Sequence, residues 1–268
     1  MNDFTRANRD HWDELTAINA SSSSYDVEGF RRGRCTLLPL ELEEVGDVSG
    51  KSLLHLQCHF GMETLSWARL GADATGVDIS PAAIALAEKL STEIGVPASF
   101  VCSDVYDLPG RLEGQFDIVY TSQGVLAWLQ DLRGWAETIA HFLRAGGTFY
   151  MFEFHRLANA IDPKREDVPV IGQPYFSTGG VVEYPPYTGT YSSGQAEVTT
   201  KSYEWVHSMG EVVTALAAAG LRIEFLHEFP FCTFQFHEFL TQGDDGLWRY
   251  AQAPERLPLM FSIRAVKG

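Results

Sequence analysis

The chain has 268 residues, of which 45% are hydrophobic, so it is long enough to bury the core of a globular α/β protein. Acidic residues outnumber basic ones by 35 to 20, and the resulting net charge of -15 disfavours binding to the phosphate backbone of a nucleic acid. The four cysteines include no CxxC pair, which predicts neither a disulfide framework nor a zinc knuckle. Because neither a leader nor a run of about 18 apolar residues is present, the sequence predicts a cytoplasmic protein without a membrane span.

The N-terminal part of the chain has helical periodicity. Residues 3–19 carry apolar side chains at three- and four-residue steps, which predicts an amphipathic helix, and the serines of 21–24 end it. A second short helix is predicted over 36–44, before a turn over 46–50. Residues 1–45 are therefore predicted to form a helical segment that precedes the main domain.

Strand and helix patterns alternate through the middle of the chain. Ser80 as an N-cap and Pro81 at the first helical position give one helix a strong start signal. The alternation predicts a doubly wound α/β fold with a mostly parallel sheet covered on both faces. Strands are predicted over 52–57, 73–78, 99–102, 116–121 and 148–154, and helices over 61–70, 81–94 and 131–143.

The pattern changes over residues 156–207, which are rich in Gly, Pro, Tyr and Thr. This composition predicts a loop and β-ribbon insertion and not a separate domain. A helix then begins at Ser208, whose spacing to Glu211 is that of a capping box, and it ends at Gly220. Two further strands, over 221–228 and 257–265, complete the predicted sheet.

Polar residues follow each of the first three predicted strands. The loop 57–61 follows the first strand, Asp78 ends the second and Asp104 follows the third. The carboxyl ends of these strands share one edge of a doubly wound sheet, where ligands bind. A carboxylate at Asp78 can accept hydrogen bonds from two ribose hydroxyls, and one at Asp104 can accept a bond from an adenine amino group. The pattern therefore predicts an adenosine-containing cofactor.

The residues of the first loop decide which adenosine cofactor is favoured. NAD needs close backbone approach to its pyrophosphate, which is why its loop is rich in glycine. Here Gln57, His59 and Phe60 obstruct that approach, so a cofactor without phosphates, S-adenosylmethionine, fits better. An NAD-dependent oxidoreductase is the alternative. A metal site at His55, Cys58 and His59 is disfavoured because alternate strand residues point to opposite faces of the sheet.

These motifs resemble those of the class I S-adenosylmethionine-dependent methyltransferases. The resemblance covers residues 50–155 by motif and 208–266 by strand pattern. Segment 53–61 looks like the first motif of that family, an acid followed by spaced glycines. In this chain His55 stands in the place of the acid, and Gln57 and His59 stand in the places of the first two glycines.

The resemblance implies a Rossmann-like methyltransferase fold with seven strands, the last of them antiparallel. It implies a methyltransferase domain over 46–268, a β-ribbon insertion after the fifth strand, and an N-terminal helical lid over 1–45. It also assigns residues to each part of the cofactor. These are Gln57, Cys58, His59 and Gly61 for the methionine part, Asp78 and Ile79 for the ribose, Asp104 and Val105 for the adenine, and Thr121, Ser122 and Gln123 for the sulfonium side.

Aromatic residues of the lid and of the second half of the chain suit a planar or apolar acceptor. His155 is the predicted general base, with His207 and His237 as alternatives, because a neutral imidazole can take a proton from a hydroxyl or an amine. The predicted acceptor-lining residues are Trp12, Tyr25, Phe154, Tyr175 and Trp205.

The sequence thus predicts an S-adenosylmethionine-dependent methyltransferase that methylates an oxygen or a nitrogen of an aromatic or apolar small molecule. It predicts no metal, nucleic-acid or membrane partner and leaves a homodimer open. Because the first motif departs from the family pattern, a non-catalytic S-adenosylmethionine-binding protein is a second alternative.

Overall fold

The computed structural model describes residues 1–162, 164–165 and 168–268. Its N-terminal part contains helices α1 (Asp3–Ser21), α2 (Val27–Arg31) and α3 (Pro39–Val45). The Asn2 side chain caps α1 by accepting from the Thr5 N–H. The predicted helix over 3–19 is confirmed, and the one predicted over 36–44 begins instead at Pro39, which is favoured in a first helical turn.

The alternating middle of the chain has the predicted elements. Ser80 caps α5 by accepting from the Ala83 N–H, as its position before Pro81 predicts. The fifth strand begins at Leu143 and not at residue 148, because a bulge in its pairing with β4 accommodates the residues in between. The elements are β1 (Ser52–Leu56), α4 (Met62–Arg69), β2 (Asp73–Asp78), α5 (Pro81–Ile94), β3 (Ser99–Cys102), β4 (Phe116–Thr121), α6 (Leu132–Phe142) and β5 (Leu143–Phe154).

The remaining elements include the predicted ribbons. Strand β6 pairs with β9 and β7 pairs with β8, both antiparallel, and the capping box of Ser208 and Glu211 starts α8. These elements are α7 (Arg156–Ala160), β6 (Val181–Tyr184), β7 (Tyr187–Thr188), β8 (Glu197–Val198), β9 (Ser202–Trp205), α8 (Met209–Ala218), β10 (Leu221–Phe229), β11 (Thr241–Gln242), β12 (Trp248–Arg249) and β13 (Met260–Lys267).

The main sheet has seven strands in the order β10-β13-β5-β4-β1-β2-β3. Strands β1 to β5 are mutually parallel, and β13 is antiparallel to both β10 and β5, as predicted for the last strand. Large buried aromatics cover both faces, with Trp135 and Phe149 on one side and Trp67 and Phe152 on the other. Because β1 to β5 are parallel, their carboxyl ends meet at one edge of the sheet.

Helix α1 is held between the insertion and the start of α5. Asn8 Nδ2 donates to the Tyr203 carbonyl at 2.8 Å, and the Tyr203 N–H donates to Asn8 Oδ1 at 2.7 Å. On the other side, Asp13 Oδ1 accepts from the Ala82 N–H at 3.0 Å. Since α5 begins at the carboxyl end of β2, these contacts hold α1 across the edge where the strands end. In the described part of the chain, no helix has the length and apolar composition of a membrane span.

We expect Asn8→Ala to lower the free energy of unfolding by about 2–4 kcal/mol, because it leaves a buried N–H and a buried carbonyl of Tyr203 without partners. Urea denaturation followed by circular dichroism measures this change. Arg6→Ala, which removes an exposed ion pair with Asp3 on the same helix, is the matched control and should change stability by less than about 1 kcal/mol. Equal losses for the two variants would contradict the docking role of Asn8.

Candidate functional site

The loop after β1 has an unusual backbone conformation. Gln57 and His59 have φ angles of 57° and 51°, and Gly61, the N-cap of α4, has 74°. This left-handed region is costly for residues other than glycine and persists where the surrounding structure enforces it. Gln57 and His59 therefore have a backbone conformation that favours glycine, at the two positions where the first motif of the resembling family has glycines.

Close packing against β2 and β3 holds this loop. The Cys58 N–H donates to the Val77 carbonyl at 2.9 Å. A Cβ added to Gly76 would lie 2.8 Å from Cys58 Sγ, and one added to Gly61 would lie 2.6 Å from the Phe100 ring, so neither position has room for a side chain. Cys58 is thus a buried packing residue, and no group of His, Cys, Asp and Glu among the described residues could hold a metal ion.

The Asp78 carboxylate joins the loop to the start of α5. Its Oδ2 accepts from the His59 N–H at 2.7 Å and its Oδ1 accepts from the Ser80 N–H at 2.9 Å. Asp78 is only 8% exposed, and this burial raises its pKa to about 6. Ile79, which follows it, is half-buried.

Asp104 leaves the sheet beside Asp78. The Ser103 N–H donates to the Asp78 carbonyl at 2.9 Å, so the two acids follow adjacent strands. Asp104 Oδ1 accepts from the Tyr106 N–H at 3.2 Å, whereas Oδ2 has no hydrogen-bond partner among the residues that the structure describes. Burial raises the pKa of Asp104, and Val105 packs into the core beside it.

His55 is a buried core histidine, as its position in the strand predicts. Its Nδ1 lies 2.8 Å from Thr64 Oγ1 and its Nε2 lies 3.2 Å from Ser122 Oγ. The Glu63 carboxylate reaches within 3.8 Å of the same Nε2 from the first turn of α4. The structure therefore supplies an acid next to the position where the first motif lacks one.

Glu153, on β5, organises the loop after β4. Its Oε1 accepts from the N–H groups of Gly124 and Phe154, both at 2.6 Å, and its Oε2 accepts from those of Val125 at 2.7 Å and Leu126 at 3.2 Å. Glu153 is 2% exposed, and burial raises its pKa to about 7. The sequence analysis missed this residue, whose only signal is a carboxylate on the otherwise apolar end of a strand.

The loop after β4 is also tied to the first loop and to the C-terminal part of the chain. Gln57 Nε2 donates to the Val125 carbonyl at 3.2 Å. Gln123 Oε1 accepts from Thr233 Oγ1 at 2.6 Å. The predicted cofactor residues of β1 and β4 therefore belong to one hydrogen-bonded unit.

Three polar atoms at this edge are buried without a hydrogen-bond partner. They are Gln57 Oε1, His59 Nε2 and Thr121 Oγ1. Buried polar atoms are nearly always satisfied, so unpaired ones clustered at strand ends are expected where a polar ligand binds. These residues fit a cofactor with hydrogen-bonding groups.

Aromatic rings from the N-terminal helices cover the first loop. The Trp12 ring lies 5.2 Å from the His59 ring and 5.1 Å from that of Trp128, which follows β4. The Tyr25 ring lies 5.5 Å from His59, and its hydroxyl lies 2.6 Å from the Tyr191 hydroxyl of the insertion. Trp12 and Tyr25 therefore lie at the predicted edge.

The other three predicted acceptor residues are more widely spread. Phe154 stacks on Phe236 at 5.5 Å, close to the loop that Glu153 holds. The Tyr175 ring contacts Phe176 instead, and Trp205 contacts Phe4 and lines a surface cavity of about 520 Å³ beside α8. Among the described residues neither ring stacks against Trp12 or the first loop, and a place for Tyr175 and Trp205 in the acceptor site stays a prediction.

His155 has a structural position. Its Nδ1 accepts from the Leu157 N–H at 3.0 Å and caps α7, and its Nε2 lies 2.9 Å from Glu228 Oε1. A neutral ring with this arrangement carries its hydrogen on Nε2 and donates it to the carboxylate. No lone pair is left to take a proton from an acceptor, so the geometry argues against His155 as the general base.

Known methyltransferases resemble this chain in sequence. Residues 54–151 match the model of a family described as a methyltransferase domain. A ubiquinone biosynthesis O-methyltransferase of Xanthomonas euvesicatoria pv. vesicatoria is 27% identical over 180 residues, which are 66% of this chain and 73% of that protein. A protein of the same name from Chromobacterium violaceum is 30% identical over 125 residues, which are 46% of this chain and 53% of that protein.

Solved structures share the fold. The glycopeptide N-methyltransferase MtfA superposes with a TM-score of 0.56 at 17% identity, covering 92% of both chains, and it has also been solved complexed with S-adenosylmethionine. An S-adenosylmethionine-dependent methyltransferase from Mesorhizobium loti gives a TM-score of 0.57 at 19% identity, covering 88% of this chain and 100% of that one. Residues 54–151 therefore match a methyltransferase domain, and the chain has the fold of S-adenosylmethionine-dependent methyltransferases.

Proposed function

We propose that this methyltransferase methylates a hydroxyl group of an uncharged aromatic small molecule. The observation that carries the proposal is the closure of the Trp12, Tyr25 and Trp128 rings over the first loop, which suits a flat apolar acceptor. The carboxylates of Asp78 and Glu153 lie at the same edge, so an anionic acceptor would be repelled. The names of the curated relatives support oxygen as the acceptor atom.

We assign the cofactor to the strand ends. Asp78 would hold the ribose, because each carboxylate oxygen accepts one backbone N–H and keeps a second lone pair. The free Oδ2 of Asp104 would accept from the adenine amino group, and Glu63 would face the ammonium group of the methionine part. Gln57 to Gly61 and Thr121 to Gln123 would provide the remaining contacts. The bound cofactor supplies a methyl group that is already activated as a sulfonium.

The protein then has to orient the acceptor and exclude water. Productive methyl transfer needs the acceptor oxygen at about 3–3.5 Å from the methyl carbon and in line with the sulfur. The fixed loop after β4 and the rings of Trp12 and Trp128 are placed to supply that orientation. In this proposal residues 1–45 act as the lid, and a homodimer and a cytoplasmic location stay predictions from the sequence.

Transfer from S-adenosylmethionine to a panel of uncharged phenols and catechols tests the proposal, with S-adenosylhomocysteine formation measured by mass spectrometry. We expect turnover of at least one phenol and none of its phosphorylated counterpart. Tight binding of S-adenosylhomocysteine without turnover of any acceptor would instead favour a non-catalytic binding protein.

We expect Asp78→Ala to weaken S-adenosylhomocysteine binding by at least about tenfold, because it removes a charged acceptor of two or more hydrogen bonds. Isothermal titration calorimetry measures the affinity. Wild-type affinity should also fall as the pH drops below about 6, where the Asp78 carboxyl becomes protonated and loses acceptor capacity. Asp73→Ala, an exposed acid at the other end of β2, is the control, and an affinity loss equal to that of Asp78→Ala would contradict the assignment.

We expect Glu153→Gln to reduce kcat by about tenfold or more while leaving S-adenosylhomocysteine affinity within about threefold. The amide replaces one acceptor oxygen with a donor that faces backbone N–H groups, so the loop after β4 loses its fixed position. Steady-state kinetics together with calorimetry separate the two effects. Glu137→Gln on the exposed side of α6 is the control, and an unchanged kcat in Glu153→Gln would rule out this positioning role.

A further inference from the structure

His11 lies where the N-terminal helix, the insertion and the loop after β4 meet. It belongs to α1 and is 1% exposed. Its ring lies 6.0 Å from that of Trp128 and 6.1 Å from that of Tyr187. Its neighbour Trp12 contacts both Trp128 and the His59 ring of the first loop. His11 is thus adjacent to the rings that we assign to the acceptor.

A threonine and a carboxylate fix the hydrogen bonding of His11. Its Nδ1 lies 3.0 Å from Thr200 Oγ1, and that hydroxyl donates to Glu14 Oε2 at 2.6 Å. Glu14 also accepts from the N–H groups of Thr199 and Thr200 at 2.8 and 3.0 Å. Although burial acts in the opposite direction, these hydrogen bonds lower the pKa of Glu14, so its carboxylate is ionised at neutral pH.

This arrangement determines the tautomer of the imidazole. Thr200 has a single hydroxyl hydrogen, and it is donated to Glu14, so toward His11 the Thr200 oxygen can only accept. Neutral His11 therefore carries its hydrogen on Nδ1 and a lone pair on Nε2. That Nε2 has no hydrogen-bond partner in the part of the chain that the structure describes.

Five of the other seven histidines are less suited to take a proton. His55 and His155 have both ring nitrogens engaged. His207 and His237 direct Nε2 at the backbone carbonyls of Leu129 and Ala158. His59 has a free Nε2, but burial lowers its pKa to about 3, which makes it a weak base. Burial also lowers the pKa of His11, although there the Glu14 carboxylate and a hydrogen bond to Thr200 act in the opposite direction.

We propose that His11 is the general base of the reaction, an inference that rests on the proposed transfer to a hydroxyl. The acceptor O–H bond breaks and its proton moves to Nε2. An oxygen electron pair forms the new bond to the methyl carbon, and the sulfur retains the pair of the broken C–S bond. The imidazolium keeps its Nδ1–H hydrogen bond to Thr200, next to the Glu14 carboxylate, and the added proton is later lost from Nε2 to water. Thr200 and Glu14 are positioning residues that stabilise this cation.

Two phenols of different acidity, catechol and 4-nitrophenol, provide the kinetic test at about pH 6.5, where both are mainly un-ionised. We expect His11→Gln to reduce kcat with catechol by about 10²–10⁴-fold. Its effect on 4-nitrophenol should be less than about tenfold, because a more acidic hydroxyl depends less on a base. Calorimetry with S-adenosylhomocysteine should give wild-type affinity in the same variant, which shows that the fold and the cofactor site are intact.

Nitrogen-15 NMR of the protein bound to S-adenosylhomocysteine provides a readout that is independent of turnover. We expect a neutral His11 ring with the hydrogen on Nδ1 at pH 7. Thr200→Val should shift this population toward the Nε2–H tautomer, and Thr200→Ser, which keeps the hydroxyl, should restore the wild-type spectrum. A wild-type ring with its hydrogen on Nε2 would overturn the proposal.

The outcomes separate this inference from the proposed function. Equal losses on the two phenols in His11→Gln would overturn the role of His11 and leave the hydroxyl acceptor in place. Failure of the wild-type protein to methylate any phenol would overturn the proposed acceptor class, and the base with it. A selective loss on catechol together with the Nδ1–H tautomer supports both.

Discussion

The site depends on a strained backbone loop that a buried carboxylate holds in place. Gln57 and His59 have left-handed φ angles that residues other than glycine rarely adopt, and the His59 N–H donates to Asp78 at the end of the next strand. The same carboxylate accepts from Ser80 at the start of α5. The Asp78 carboxylate therefore fixes the first loop, the end of β2 and the start of α5 relative to each other. These bonds help to hold Gln57 and His59 in a backbone conformation that favours glycine.

A second buried carboxylate, that of Glu153, fixes the loop after β4 at the same edge of the sheet. Glu153 accepts four backbone N–H groups, three of them in the loop after β4, and Gln57 then connects that loop to the first one through the Val125 carbonyl. Because Trp128 lies on this loop and contacts Trp12 of α1, these bonds also bear on the position of α1. The proposed cofactor and acceptor sides are therefore linked through Glu153.

The sheet could be predicted from the sequence because its strands and helices alternate with clear caps and apolar runs. Asp78 and Asp104 could be found by their places after consecutive strands. The roles of the histidines could not, because they depend on contacts between residues far apart in the chain: His155 pairs with Glu228, and His11 reaches Thr200 across the insertion. Glu63 and Glu153 were missed for a related reason, since a carboxylate in a helix turn or on a strand has no local pattern that indicates burial.

The buried carboxylates at this edge of the sheet suit S-adenosylmethionine as the cofactor. Burial raises the pKa values of Asp78, Glu153 and Glu63, which means that the folded protein pays a desolvation penalty to keep these carboxylates ionised. S-Adenosylmethionine carries a sulfonium and an ammonium group, and positive charge beside a buried carboxylate favours its ionised form. Binding should therefore relieve part of the penalty, so the acids that shape the loops also favour a cationic cofactor over the anionic diphosphate of NAD.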